Sequence, residues 1–224
     1  MRYRRIGRLN GGRIAWALGA AALGVVVSCS RPTQLRGQAS PLGAAGDTVP
    51  TGFGSLRRDD IMLRFATDQI ELQLLPLDEM VIRLLATDTY RSLEQLLERQ
   101  HAGIAAAAER ARLSTPTLVL VTFFALAPGA RFTPDNVQLL SRGRLYTPQG
   151  IVPLSPTWNT LQLDQRQQAV AIYLYEGGVS WYEDLSATYP GSSAASWSHA
   201  VQVLQQERAR VRARAQSQPN QPNP

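Results

Sequence analysis

The chain has 224 residues, 44% of them hydrophobic, which is enough for one domain with a real core. Its formal charge of +6 comes from 23 basic residues, all arginine, against 17 acidic ones, and five of the arginines fall in the first 13 residues. The rest of the chain carries 18 basic and 17 acidic residues, which leaves no concentrated basic face for nucleic acid, and a single cysteine excludes an internal disulfide.

The leader comes first. Arg2, Arg4, Arg5, Arg8 and Arg13 precede an apolar run of 15 residues, Ile14 to Ser28, which Cys29 closes. A basic start, a short apolar stretch and a small residue before the cut are the three parts of a secretory signal peptide. The run is short for a spanning helix, which needs about twenty residues to cross about 30 Å of hydrocarbon. Val26-Val27-Ser28-Cys29 resembles the lipobox of bacterial lipoproteins. The resemblance implies that residues 1–28 are removed, that Cys29 is lipidated on sulfur, and that membrane lipid is a partner. It also implies two or more acyl chains and therefore firm attachment. Ser30, in place of aspartate, points to the outer membrane, facing the periplasm or the cell surface, rather than to the inner one. An uncleaved single-pass anchor and a plain cleaved signal are the alternatives.

Residues 29–56 hold Pro32, Gly37, Pro41, Gly43, Gly46, Pro50, Gly52 and Gly54 and show no apolar periodicity. They read as a flexible tether between a lipid and a folded body.

The body is expected over residues 57–190. Ile61, Leu63 and Phe65 alternate with polar or intermediate neighbours, as do Ile70, Leu72 and Leu74, which predicts two strands and a hairpin at Thr67-Asp68-Gln69. Residues 77–113 read as a helical insertion. Asp78 is the expected first cap, and Thr89 or Asp88 caps a second helix after a break at Thr87-Asp88-Thr89. Leu93, Leu96, Leu97 and Ile104 form its stripe, and Ser114-Thr115-Pro116 ends it. Residues 117–190 are strand-rich. Leu118–Leu126 and Ala169–Tyr175 are apolar on both faces, as in strands buried between layers, with shorter pieces between them. The expected fold class is α+β: an antiparallel β-sandwich, immunoglobulin-like or related, with the helical insertion and a C-terminal helix.

That last helix is expected over 191–215, with Trp197, Val201, Leu204 and Val211 as its stripe. Residues 216–224, rich in Gln, Pro and Asn, read as a disordered tail.

Little in the chain carries chemistry. His101 and His199 are far apart in sequence, and metal ligands at suitable spacing are missing. Ser198 and His199 are adjacent, so on a helix they point about 100° apart and form no dyad. Glu183 and Asp184 offer two carboxylates beside Tyr182. No metal and no cofactor are expected. Trp158, Tyr173, Tyr175, Trp181, Tyr182, Tyr189 and Trp197 crowd the second half. Trp181 and Tyr182 are adjacent, so in a strand one of them faces outward, and the pair is the candidate contact surface. Arg208, Arg210, Arg212 and Arg214 read as a solvated helix end, or as a contact for anionic polymers. The sequence favours a non-enzymatic binding or structural lipoprotein of the cell envelope, with an envelope protein or polysaccharide as partner. The alternatives are a hydrolase acting on envelope glycans, and an accessory subunit that docks through the helices around Leu93 and Leu204.

Overall fold

The structure, a computed structural model, describes residues 49–192 and 194–217, all within one compact unit that spans 43–224. The leader, the lipobox with Cys29, the first part of the tether and residues 218–224 of the tail lie outside the described residues.

The alternation at the start of the body produces the hairpin it predicts. β1 (Leu63–Ala66) pairs antiparallel with β2 (Ile70–Pro76), with Phe65 opposite Leu72 and Leu63 opposite Leu74. Thr67 holds the turn, because its Oγ1 accepts from the Ile70 amide at 3.1 Å. Next comes α1 (Glu79–Ile82), a single turn capped by Asp78, whose carboxylate accepts from the Met80 amide at 2.9 Å. Burial raises the Asp78 pKa, and that effect exceeds the opposing pull of the Met80 and Val81 amides.

α2 (Thr87–Arg110) starts at Thr87 with no side-chain cap, so neither Asp88 nor Thr89 caps it. The chain breaks one turn earlier for a tertiary reason. Leu84 O accepts from the Leu56 amide at 3.0 Å, and the Ala86 amide donates to Leu56 O at 2.9 Å. Residues 49–56, expected as the end of the tether, are thereby bound to the body, with Val49 and Leu56 buried. Their Pro/Gly composition conceals this, because the partners are backbone groups and distant side chains.

β3 (Thr117–Ala125) is the first of the two long apolar strands. β4 (Ala130–Arg131) is short. β5 (Gln138–Ser141) and β6 (Arg144–Tyr146) form a hairpin whose two loop residues, Arg142 and Gly143, have φ of 52° and 73°. Positive φ at both positions is the type I′ turn that suits the strand twist. β7 (Gly150–Pro153), β8 (Gln162–Leu163), β9 (Gln168–Tyr175), β10 (Leu185–Thr188) and β11 (Ala195–Ser196) follow. α3 (Ser198–Ser217) closes the described chain. It begins later than the expected residue 191, because β11 pairs with β10 first, and it runs past 215 into the expected tail.

The strands form a five-stranded sheet, β1-β2-β3-β9-β7, a four-stranded sheet, β11-β10-β5-β6, and the pair β4-β8. All named pairings are antiparallel. The described residues thus make a mixed α/β body with antiparallel sheets. α2 packs against β7 and β9 on one face of the large sheet. An aromatic cluster fills the other face. Phe123 stacks on Phe132 at 4.7 Å between ring centres and meets Trp158 and Tyr189 edge-on, each at 5.8 Å. Tyr173 and Tyr175 reach across to the region of the second sheet. Their hydroxyls donate to Pro134 O at 2.9 Å and Val137 O at 3.1 Å, so their polar tips are satisfied. Burial raises both phenol pKa values.

Adjacent residues on β3 supply the test. Phe123→Ala is expected to cost about 3–5 kcal/mol in chemical denaturation, as for a buried aromatic cut to a methyl. Phe124→Ala, half-buried on the opposite face, is expected to cost less than half as much. Equal losses would contradict the central place given to the aromatic cluster.

Candidate functional site

The outward face of the smaller sheet carries the candidate site. Register aligns one row of side chains across all four strands: Leu145 opposite Leu140, Leu140 opposite Ser186, and Ser186 opposite Ser196. Neighbours in the two central strands, Leu139, Ser141, Leu185 and Ala187, point inward and are buried. Leu140 and Leu145 are 41% and 54% exposed, two large apolar side chains directly opposite each other on an open sheet face. Beside them lies an open groove of about 670 Å³, lined by Leu140, Arg142, Tyr182, Glu183, Ser186 and Val201 among others.

Arg142 projects from the hairpin tip and makes a two-pronged pair with Glu183. Its Nε donates to one carboxylate oxygen and its Nη2 to the other at 2.5 Å. A non-glycine residue at φ 52° costs free energy, and here the guanidinium is fixed across the groove rim. The hydrogen bond and charge of Arg142 hold the Glu183 carboxyl below the usual carboxylate range. Arg144 of β6 pairs with Glu176 at 2.5 Å. Arg144 shares its side of β6 with Tyr146, whose ring centre lies 5.0 Å from its guanidinium, so only the Arg142–Glu183 pair borders the outward leucines.

Trp181 and Tyr182 sit in a turn rather than in a strand, so the alternation that would turn one of them outward does not operate. Trp181 is buried, its ring 5.5 Å from that of Trp197, whose Nε1 donates to Trp181 O at 2.9 Å. Only Tyr182 reaches the groove wall. It is half-buried, its hydroxyl donates to Met80 O at 3.0 Å, and the Arg208 guanidinium lies 5.1 Å from the ring centre. Of the expected pair only Tyr182 borders this face, and the outward leucines Leu140 and Leu145 supply its exposed apolar area. The paired alternation at 138–141 and 144–146, with Arg-Gly between, was the signal that could have shown it.

The other candidate residues are dispersed. His101 on α2 and His199 at the start of α3 are both exposed. Ser198 bonds with Ser196, 3.1 Å between hydroxyls, rather than with His199. Among the described residues, no group of three or more His, Cys, Asp or Glu side chains could hold a metal ion. Leu93 and Leu204 are buried against their own body, so the stripes considered as docking surfaces face inward. The arginine run is divided in use. Arg208 lies over Tyr182, and Arg214 binds Glu207 at 3.0 Å and Phe53 O at 2.7 Å. No described helix is long and apolar enough to cross a membrane.

No protein-family model, curated protein or solved structure matches this chain.

The Arg142–Glu183 pair makes a pH prediction. The folded carboxyl titrates below its unfolded value, so its contribution is present above the ordinary glutamate range and is lost as pH falls through the folded value. Carbon-detected NMR titration is expected to show a Glu183 midpoint below that of free glutamate, moving back up in Arg142→Ala. An unchanged midpoint would remove the pair from the solution structure.

Proposed function

We propose that this chain is an exported lipoprotein held on a bacterial membrane, the outer one by preference, through lipid on Cys29. Its body serves as a non-enzymatic binding or structural component of the cell envelope. The basic leader, the short apolar run and the lipobox-like Val26-Val27-Ser28-Cys29 support the anchor. We read the body as an antiparallel β-sandwich. The Tyr173 and Tyr175 hydroxyls, which bond to the segment that leads into β5, support that reading.

The observation that carries the contact role is the exposed leucine pair on the open sheet face. Leu140 and Leu145 stand side by side next to the groove, with the Arg142–Glu183 ion pair at the rim. An apolar centre with a polar rim suits a protein surface better than a sugar chain. The rival reading as a glycan hydrolase needs a carboxylic acid that holds its proton near neutral pH. Arg142 shifts Glu183 the other way, which argues against that residue as the proton donor.

Two measurements check this. Radiolabelled palmitate is expected to enter the wild-type chain and not Cys29→Ala; identical mature mass and fractionation for the two would remove the anchor. A pull-down from solubilised membranes is expected to recover one stoichiometric protein partner, lost when Leu140 and Leu145 are both changed to Ser. Such surface changes shift stability by only about 0.5 kcal/mol each. Equal recovery with the double variant would move the contact elsewhere.

A further inference from the structure

Residues 49–56 cross the body as a strap gripped from two sides. The corner between α1 and α2 holds one side. Arg83 Nη1 donates to Val49 O at 3.1 Å, Thr87 Oγ1 to Gly52 O at 3.4 Å, and Leu56 bridges to Leu85 through the 84–86 backbone. α3 holds the other. Ser55 donates twice to Glu207 Oε1, from its amide at 3.0 Å and its hydroxyl at 2.7 Å, and Arg214 Nη1 donates to Phe53 O at 2.7 Å. Between these grips, Gly54 lies flat on the corner. A methyl there would sit 2.4 Å from the Leu84 carbonyl, closer than any side chain tolerates.

Glu207 is an unusual residue for its position. It belongs to the buried stripe Ala200, Leu204, Glu207 and Val211, and it is 1% exposed. Its Oε1 takes the two Ser55 donors and Arg214 Nη1 at 3.0 Å. Its Oε2 has no hydrogen-bond donor among the described residues, and Arg210 Nη1 lies 3.7 Å from it. A buried carboxylate is tolerated only while its partners are in place. Two of the three hydrogen bonds at Oε1 come from the strap.

We propose that Glu207 is a latch that makes the docking of α3 conditional on the strap. With the strap seated, the carboxylate is satisfied and the apolar stripe of α3 closes on the body. With the strap drawn off, Glu207 loses both Ser55 donors, and the cheapest remedy is for α3 to lift its carboxylate into water. Val201 of α3 lines the groove beside Tyr182, so lifting the helix also opens that groove. A pull on the chain before residue 49 is therefore felt at the contact face. The latch stands without the lipid anchor, since it involves only residues of the body.

Peptide-resolved hydrogen exchange on the full chain tests it. Gly54→Val pushes the strap off the corner. It is expected to speed exchange of the α3 amides by at least about tenfold, the low end for a buried polar group that loses hydrogen-bond donors, while β3 and β9 keep their protection. Adding Glu207→Leu is expected to return α3 to within about threefold of wild type, because an apolar residue there needs no strap. A strap that served only as packing would not yield that rescue. Should Gly54→Val loosen the sheets as well, Ser55→Ala replaces it, with a smaller rise in α3 exchange that Glu207→Leu again reverses. Wild-type α3 exchange in the strap variants, or a rise that Glu207→Leu leaves in place, would overturn the latch.

Discussion

β3 and β9 pair from Thr117 opposite Tyr175 to Phe124 opposite Gln168, and both strands are covered on their two faces over much of that length. The pairing has structural consequences in every direction. β2 adds to the outer edge of β3 and brings β1 with it, while β7 adds to β9. One face then receives α2, and the other receives Phe132, Trp158 and Tyr189 around Phe123. Dispersion and apolar burial favour this arrangement without direction, so directed polar contacts must select the final geometry. The hydroxyls of Tyr173 and Tyr175 supply two of those, and each ends on a backbone carbonyl before β5. An aromatic core with satisfied polar tips fixes one arrangement where Phe at both sites would leave the carbonyls unpaired.

A second constraint acts at the chain's lead-in. The strap cannot be replaced by any piece of polypeptide of the same length. It needs a residue without Cβ at Gly54 and a hydroxyl at Ser55, and the corner at Leu84–Ala86 must offer its backbone. α3 in turn carries a charge where its stripe calls for an apolar residue. The two oddities explain each other: a carboxylate in the stripe can accept from both the amide and the hydroxyl of Ser55, next to the glycine that lies flat on the corner. Stability and connection between distant parts of the chain come from the same contact.

Charge on the smaller sheet is organised differently. Arg142 with Glu183 and Arg144 with Glu176 are exposed pairs, worth little for stability in water. Their consequence is local order. The first pins the Arg142 guanidinium beside Leu140 at the left-handed hairpin tip, and the second holds Arg144 over Tyr146 on the other side of β6. A partner that covers the leucines would meet a rim whose charges are already positioned, which lowers the ordering cost of association. The Arg142 pairing also lowers the Glu183 pKa, which sets that carboxyl against a proton-donor role.

Local pattern determined much of this protein. The hairpin at Thr67, the Asp78 cap, the two long apolar strands and the buried Leu204 and Val211 of the last helix follow from periodicity and capping chemistry, which act over a few residues. Three things depended on contacts between residues far apart in the chain. Trp181 turned inward because Trp197, sixteen positions later, offers a ring and an indole donor, and a turn has no alternation to send it outward. Leu140 and Leu145 became neighbours on an open face through the register of a hairpin that only the folded sheet completes. The Pro/Gly run at 49–56 became a strap through its bonds to Arg83, Glu207 and Arg214, the last two more than 150 positions away. Composition describes what a segment can do alone; hydrogen bonds from distant side chains decide what it does in the fold.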